Sequence, residues 1–142
     1  MIRSYQNSDL DQLLDVWERA SRLAHPFLEE AFMQESRQKI VEVYVPITKT
    51  WVWAEDGRVI GFISMLDNEV GGLFVDPEAH GRGIGTALLD HVKPMHSTLR
   101  LEVFKSNIKS RGFYAHYGFT LVEEAIHEET GFPILKLRYE IN

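Results

Sequence analysis

Apolar positions near the start of the chain recur at helical spacing. Leu10, Leu13, Leu14 and Trp17 fall on one face, as in an amphipathic helix. Ser8, with Asp11 three residues on, predicts the start of that helix as an approximate capping box. Ile2 to Tyr5 reads as a short strand ahead of it, and a second helix is predicted within Glu29 to Val43, where Phe32, Ile40 and Val43 recur less regularly. Between the two helices runs an apolar connection, Leu23 to Phe27, that carries His25 beside Pro26 and Phe27.

The middle of the chain changes to strand character. Trp51 to Ala54 and Val59 to Ile63 flank Asp56-Gly57, and Asp-Gly between two β-rich runs predicts a hairpin. Asp67 to Glu69 marks a further turn before Gly71 to Val75, a strand that must stop near Asp76-Pro77, because proline donates no ladder hydrogen bond. A helix follows with Ile84, Leu88 and Val92 on one face and ends near Pro94. Leu99, Leu101 and Val103 alternate with Arg100, Glu102 and Phe104 in another strand. Asn107 opens a last helix that closes at Gly118, a left-handed cap. Two final strands, Phe119 to Val122 and Ile134 to Tyr139, surround an acidic loop. Without repeat, linker or low-complexity stretch, residues 1–142 are expected to form a single α/β domain.

Composition narrows the classes of function. The 142 residues are 44% hydrophobic and 25% charged, within the range of globular proteins. No apolar run approaches the roughly 20 residues that cross a bilayer, and Met1 to Tyr5 lacks the pattern of a secretory leader. A cytoplasmic protein without membrane partners is therefore expected. The chain has no cysteine, which removes disulfides, a thiol nucleophile and thiolate metal sites. Its six histidines follow no metal-binding spacing, so no metal is expected. A net charge of −6 argues against unspecific nucleic-acid binding and suits a cationic acceptor.

Gly81, Gly83 and Gly85 crowd a strand-to-helix passage. Glycines there let the chain turn sharply, so that successive amides converge on one anion. The helix N-terminus adds further unsatisfied donors, and Arg82 offers a charge-assisted contact. A P-loop would require Lys-Ser or Lys-Thr after the glycines, and Ile84-Gly85-Thr86 supplies neither. A dinucleotide fingerprint would require a third glycine where Thr86 stands, although Glu102 lies near the distance of a ribose-binding acid.

The run Leu73 to Leu89, with His80-x-x-Gly83-x-Gly85 inside it, resembles motif A of the GNAT superfamily of N-acetyltransferases, usually Gln/Arg-x-x-Gly-x-Gly/Ala. Leu101-Glu102-Val103, Asn107, Gly112-Phe113-Tyr114 and Tyr117-Gly118-Phe119 resemble the motif that follows it. His25-Pro26-Phe27 and Trp51 to Gly57 extend the likeness, towards the YiaC- and YjaB-type bacterial acetyltransferases. The resemblance implies the GNAT fold: a mixed, mostly antiparallel sheet of about seven strands, splayed at the cofactor site and flanked by about four helices. It departs from the family at the first motif position, where His80 reads as a solvent-facing substitute.

The resemblance further implies direct transfer of an acetyl group from acetyl-CoA to a primary amine, on a protein lysine, an N-terminus or a small molecule. A non-catalytic acyl-CoA sensor is the alternative, and the enzyme would be a monomer or homodimer. Cofactor binding falls to Leu73, Phe74 and Val75 along the arm, to Gly81, Arg82, Gly83, Ile84, Gly85 and Thr86 at the pyrophosphate, and to Asn107 and Tyr114. Tyr114 matches the family's general acid, since a phenol of pKa about 10 holds its proton at neutral pH. Glu102 matches a proton acceptor of some relatives. His25 is a rival for that task, and a water chain would replace both. His25 and Phe27 are expected to bind the acceptor.

Overall fold

The computed structural model describes residues 1–141. Seven strands form one sheet: β1 (Ile2–Ser4), β2 (Lys49–Glu55), β3 (Arg58–Leu66), β4 (Glu69–Val75), β5 (Thr98–Phe104), β6 (Thr120–Ile126) and β7 (Pro133–Glu140), in the order β1-β2-β3-β4-β5-β7-β6. Four longer helices accompany them: α1 (Leu10–Ala24), α2 (Glu30–Lys39), α3 (Ile84–Val92) and α4 (Ile108–Tyr117), besides a single helical turn at Val45–Ile47. Every strand pair is antiparallel except β4 with β5. The mixed sheet and helix count are those the resemblance implied.

Strand alternation builds two cores, because neighbouring side chains point to opposite faces. Val52 and Phe62 join Leu13, Leu14, Val16, Trp17 and Met33 under α1 and α2. Ile63, Leu99 and Leu101 join Ile84, Leu88, Leu89 and Val92 of α3 on the other face, with Tyr114 of α4. Strand β3 is covered on both faces, so Val59 to Ile63 is buried without interruption, which explains its lack of polar alternation.

The turns obey their sequences. Asp56 and Gly57 both have positive φ, 50° and 75°, the mirror-image turn that matches the twist of a hairpin. The start of the first helix and the buried face of the second differ from expectation. Asp9, not Ser8, organises the first start: its carboxylate accepts from the Gln6 amide at 2.8 Å and pairs with Arg3 through both oxygens. A short 3₁₀ turn, Asn7–Asp9, therefore precedes α1. In α2 the buried residue is Met33, while Val43 lies 44% exposed in a widened turn, Ile40–Tyr44, that continues the helix.

One feature of the sheet positions the site. Strands β4 and β5 share a single parallel pair, Glu69 with Arg100, beside the Arg100 amide donating to the Asn68 carbonyl at 3.0 Å. Just beyond it the β3–β4 register slips, with Ser64 opposite Gly72 and Met65 opposite Val70. Gly71 is thus the extra residue of a bulge, which sharpens local twist and bends the strand. Past Gly71 the two strands pair no further among the described residues, and a cleft opens between them.

Candidate active site

The end of β4 is pinned by a buried carboxylate. Asp76, 1% exposed, accepts from both terminal guanidinium nitrogens of Arg19 at 2.8 and 2.7 Å, from Arg58 at 2.9 Å and from the Glu78 amide at 3.0 Å. The Arg19 hydrogen bonds, against the opposing effect of burial, hold its pKa down at about 2. This cluster ties α1 and β3 to the point where β4 gives way to the glycine loop.

In that loop Gly81 and Gly83 have φ of +84° and +79°, and Gly83 stands as the N-cap of α3. A Cβ at either would meet nothing within 4 Å. Left-handed backbone, rather than crowding, is what demands glycine there. Gly85 differs: its missing side chain admits Phe113, whose Cζ would lie 3.2 Å from an added Cβ.

A cavity of about 360 Å³ lies over the loop, bordered by Leu73, Val75, Gly81, Gly83, Ile84, Gly85, Thr86, Phe113 and Tyr114. The amide-rich N-terminus of α3 suits an anion, and the apolar walls suit an uncharged arm. The residues present therefore fit a phosphate-bearing thioester cofactor.

Two polar residues of the loop part company. Arg82 turns away to bond Glu55 of β2 and does not border the cavity. His80, read from sequence as merely solvent-facing, is exposed but bonded through both ring nitrogens. Its Nε2 lies 3.0 Å from the Val75 carbonyl, and Nδ1 lies 3.0 Å from Lys109 Nζ.

The cleft between β4 and β5 holds the other sequence-derived residues. Leu73, Phe74, Val75, Glu102, Asn107 and Tyr114 all border it, and His25 closes one side. Asn107 also caps α4, its side chain accepting from the Ser110 amide at 3.2 Å. Tyr114 is buried, borders both the cleft and the glycine-loop cavity, and has its pKa pushed up by loss of solvent. Glu102 is exposed and stands opposite Lys136 of β7 in register.

His25 is half-buried. Burial lowers its pKa, and its Nδ1 has no hydrogen-bond partner among the described residues. Its ring meets Phe104 edge-on at 4.9 Å and Phe27 at 5.7 Å. Phe27 backs this cluster, touching Phe104 and Phe132, rather than bordering the cleft.

Sequence reasoning missed Phe104, read only as a strand position, and His127, which packs on it at 5.3 Å from the β6–β7 connection. It also missed Lys109 and the Asp76 cluster. The one signal available was Gly71-Gly72, since glycine inside a strand often marks a bulge.

A sheet splayed at its one parallel pair, with an anion-ready glycine loop beside the opening, defines an acyltransferase of the acetyl-CoA-using class. The sequence profile of the acetyltransferase (GNAT) domain matches residues 15–141, and the chain belongs to this family. It is an N-acetyltransferase, and acetyl-CoA is its acetyl donor.

Among relatives, the peptidyl-lysine N-acetyltransferase YiaC of Escherichia coli is 35% identical over 134 residues, 94% of this chain and 92% of that protein. The peptidyl-lysine N-acetyltransferase YjaB of Salmonella typhimurium is 28% identical over 97% of both chains. The solution structure of apo YjaB from Escherichia coli superposes with a TM-score of 0.85 at 27% identity, covering 98% of this chain and 96% of that one. Among the described residues no helix is long and apolar enough to cross a membrane, and no cluster of metal-binding side chains occurs.

Proposed function

We propose that the chain acetylates the side-chain amine of lysine in polypeptides. The observation that carries direct transfer is the position of Tyr114: one buried hydroxyl-bearing side chain borders both the glycine-loop cavity and the β4–β5 cleft. Acetyl-CoA supplies the activated acetyl group as a thioester. The backbone of Leu73, Phe74 and Val75 aligns the arm, and Gly81, Gly83, Ile84, Gly85 and Thr86 take the pyrophosphate. Tyr114, kept protonated by burial, gives its proton to the departing thiolate sulfur.

Lysine is supported by the two relatives named for peptidyl-lysine and by the acidic lining of the acceptor side. Glu69 and Glu102 border a cavity of about 440 Å³ there, together with Phe104 and His127. A lysine amine must shed a proton at a cost of about 4–5 kcal/mol at pH 7. Glu102 draws the ammonium in and receives that proton, while His25 and Phe104, backed by Phe27, form the wall that desolvates it.

The test incubates the protein with acetyl-CoA and three acceptors: a lysine peptide with a blocked N-terminus, the same peptide lacking lysine, and a free small amine. Thiol release and mass spectrometry are the readouts. Acetylation of the lysine peptide alone is expected. Acetylation of only the small amine would overturn the polypeptide assignment, and cofactor binding without thiol release from any acceptor would point to a sensor.

A further inference from the structure

We propose that Lys109, held in place by His80, is the cation that meets the cofactor's pyrophosphate, the part expected of Arg82. This rests on the reading of the glycine loop as the pyrophosphate site. Both Lys109 and His80 border the cavity above that loop, whereas Arg82 is engaged by Glu55 and does not.

The geometry fixes how the lysine is carried. His80 Nε2 faces the Val75 carbonyl, an acceptor only, so Nε2 must bear the hydrogen and donate it. The Lys109 ammonium can only donate, so Nδ1 is the acceptor of that bond. A neutral imidazole thus orients the cation without neutralising it, as a carboxylate would. Lys109 also stands in the first turn of α4, which contains no acidic residue. A positive charge there opposes the helix dipole and is relieved by an anion placed between α4 and the N-terminus of α3. The cavity floored by Gly81 and Gly83 occupies that position.

Lys109 is accordingly a cofactor-binding residue and His80 a positioning residue. Calorimetric titration with CoA tests this on the intact chain. Lys109→Gln is expected to weaken CoA binding about tenfold, the scale of one charge-assisted hydrogen bond, and Arg82→Gln by less than about twofold, as for an exposed pair. The Lys109→Gln loss should persist with dephospho-CoA and should disappear in the KM for S-acetylpantetheine, which has no pyrophosphate. His80→Ala should weaken CoA binding, and His80→Gln, whose amide can both donate to Val75 and accept from Lys109, should restore it.

Unchanged CoA affinity in Lys109→Gln, or an equal loss with S-acetylpantetheine, would overturn the proposal. A loss seen with CoA but not dephospho-CoA would move the charge to the 3′-phosphate and overturn it equally. Failure of the underlying loop reading is separable, since Gly83→Val would then leave CoA binding intact whatever Lys109 does.

Discussion

The two sides of the β4–β5 opening are built by different means. On the glycine-loop side, proposed to take the cofactor, the main groups come from one run of chain: the end of β4, two left-handed glycines and the first turn of α3. Their chemistry is largely backbone chemistry. On the opposite side, proposed to take the acceptor, His25, Phe104 and His127 meet from the α1–α2 connection, β5 and the β6–β7 connection, ring against ring. That side depends on which side chains the fold brings together. A backbone site tolerates change in its neighbours and serves one invariant ligand, whereas a side-chain site can be rebuilt around each acceptor. Tyr114 stands between the two.

Substitutions that act on one side only should separate the two, and the shared residues should not. The largest effect is expected for Tyr114→Phe, with kcat lowered about 100-fold, the lower part of the range for proton transfer, and CoA affinity unchanged by titration. Full activity would remove the hydroxyl from the chemistry.

Asp76→Asn should cost about 2 kcal/mol in urea unfolding. This is below the full value for a broken buried pair, because Arg19 and Arg58 are partly exposed. The pH dependence has a definite sign. With a folded pKa of about 2 against an ordinary 3.8, the contribution is complete above pH 4 and is lost as pH falls towards 2. The stability difference between wild type and variant should therefore shrink in acid, and a constant difference would refute the ion-pair account.

Gly83→Val should weaken CoA binding about tenfold, since a β-branched side chain resists left-handed backbone by about 1–2 kcal/mol. Its KM for a lysine peptide should not move. Phe104→Ala should do the reverse with the smallest effect, raising the peptide KM about fivefold, as for a contact worth about 1 kcal/mol, at constant CoA affinity. If either variant disturbs the other side's constant, the division fails.

The contrast also governs how much could be read from residue order. The helices, the hairpin at Asp56-Gly57 and the glycine loop are local: propensity, turn chemistry and spacing within a few residues decide them. Even so, Ser8 yielded to Asp9 as the helix organiser, because Arg3 on β1 stabilises the Asp9 carboxylate from another element.

What the amino-acid order determined by itself was the family, the glycine loop at the start of α3, and the candidates Asn107 and Tyr114, since each is marked by residues adjacent in the chain. Only the tertiary structure decided that Arg82 faces Glu55 while Lys109 faces the loop, that Asp76 anchors β4, and that a bulge at Gly71 parts β4 from β5. It alone brought His127 onto Phe104. Those outcomes hang on contacts between residues far apart in sequence, whose partners are chosen by packing and charge pairing across the whole sheet.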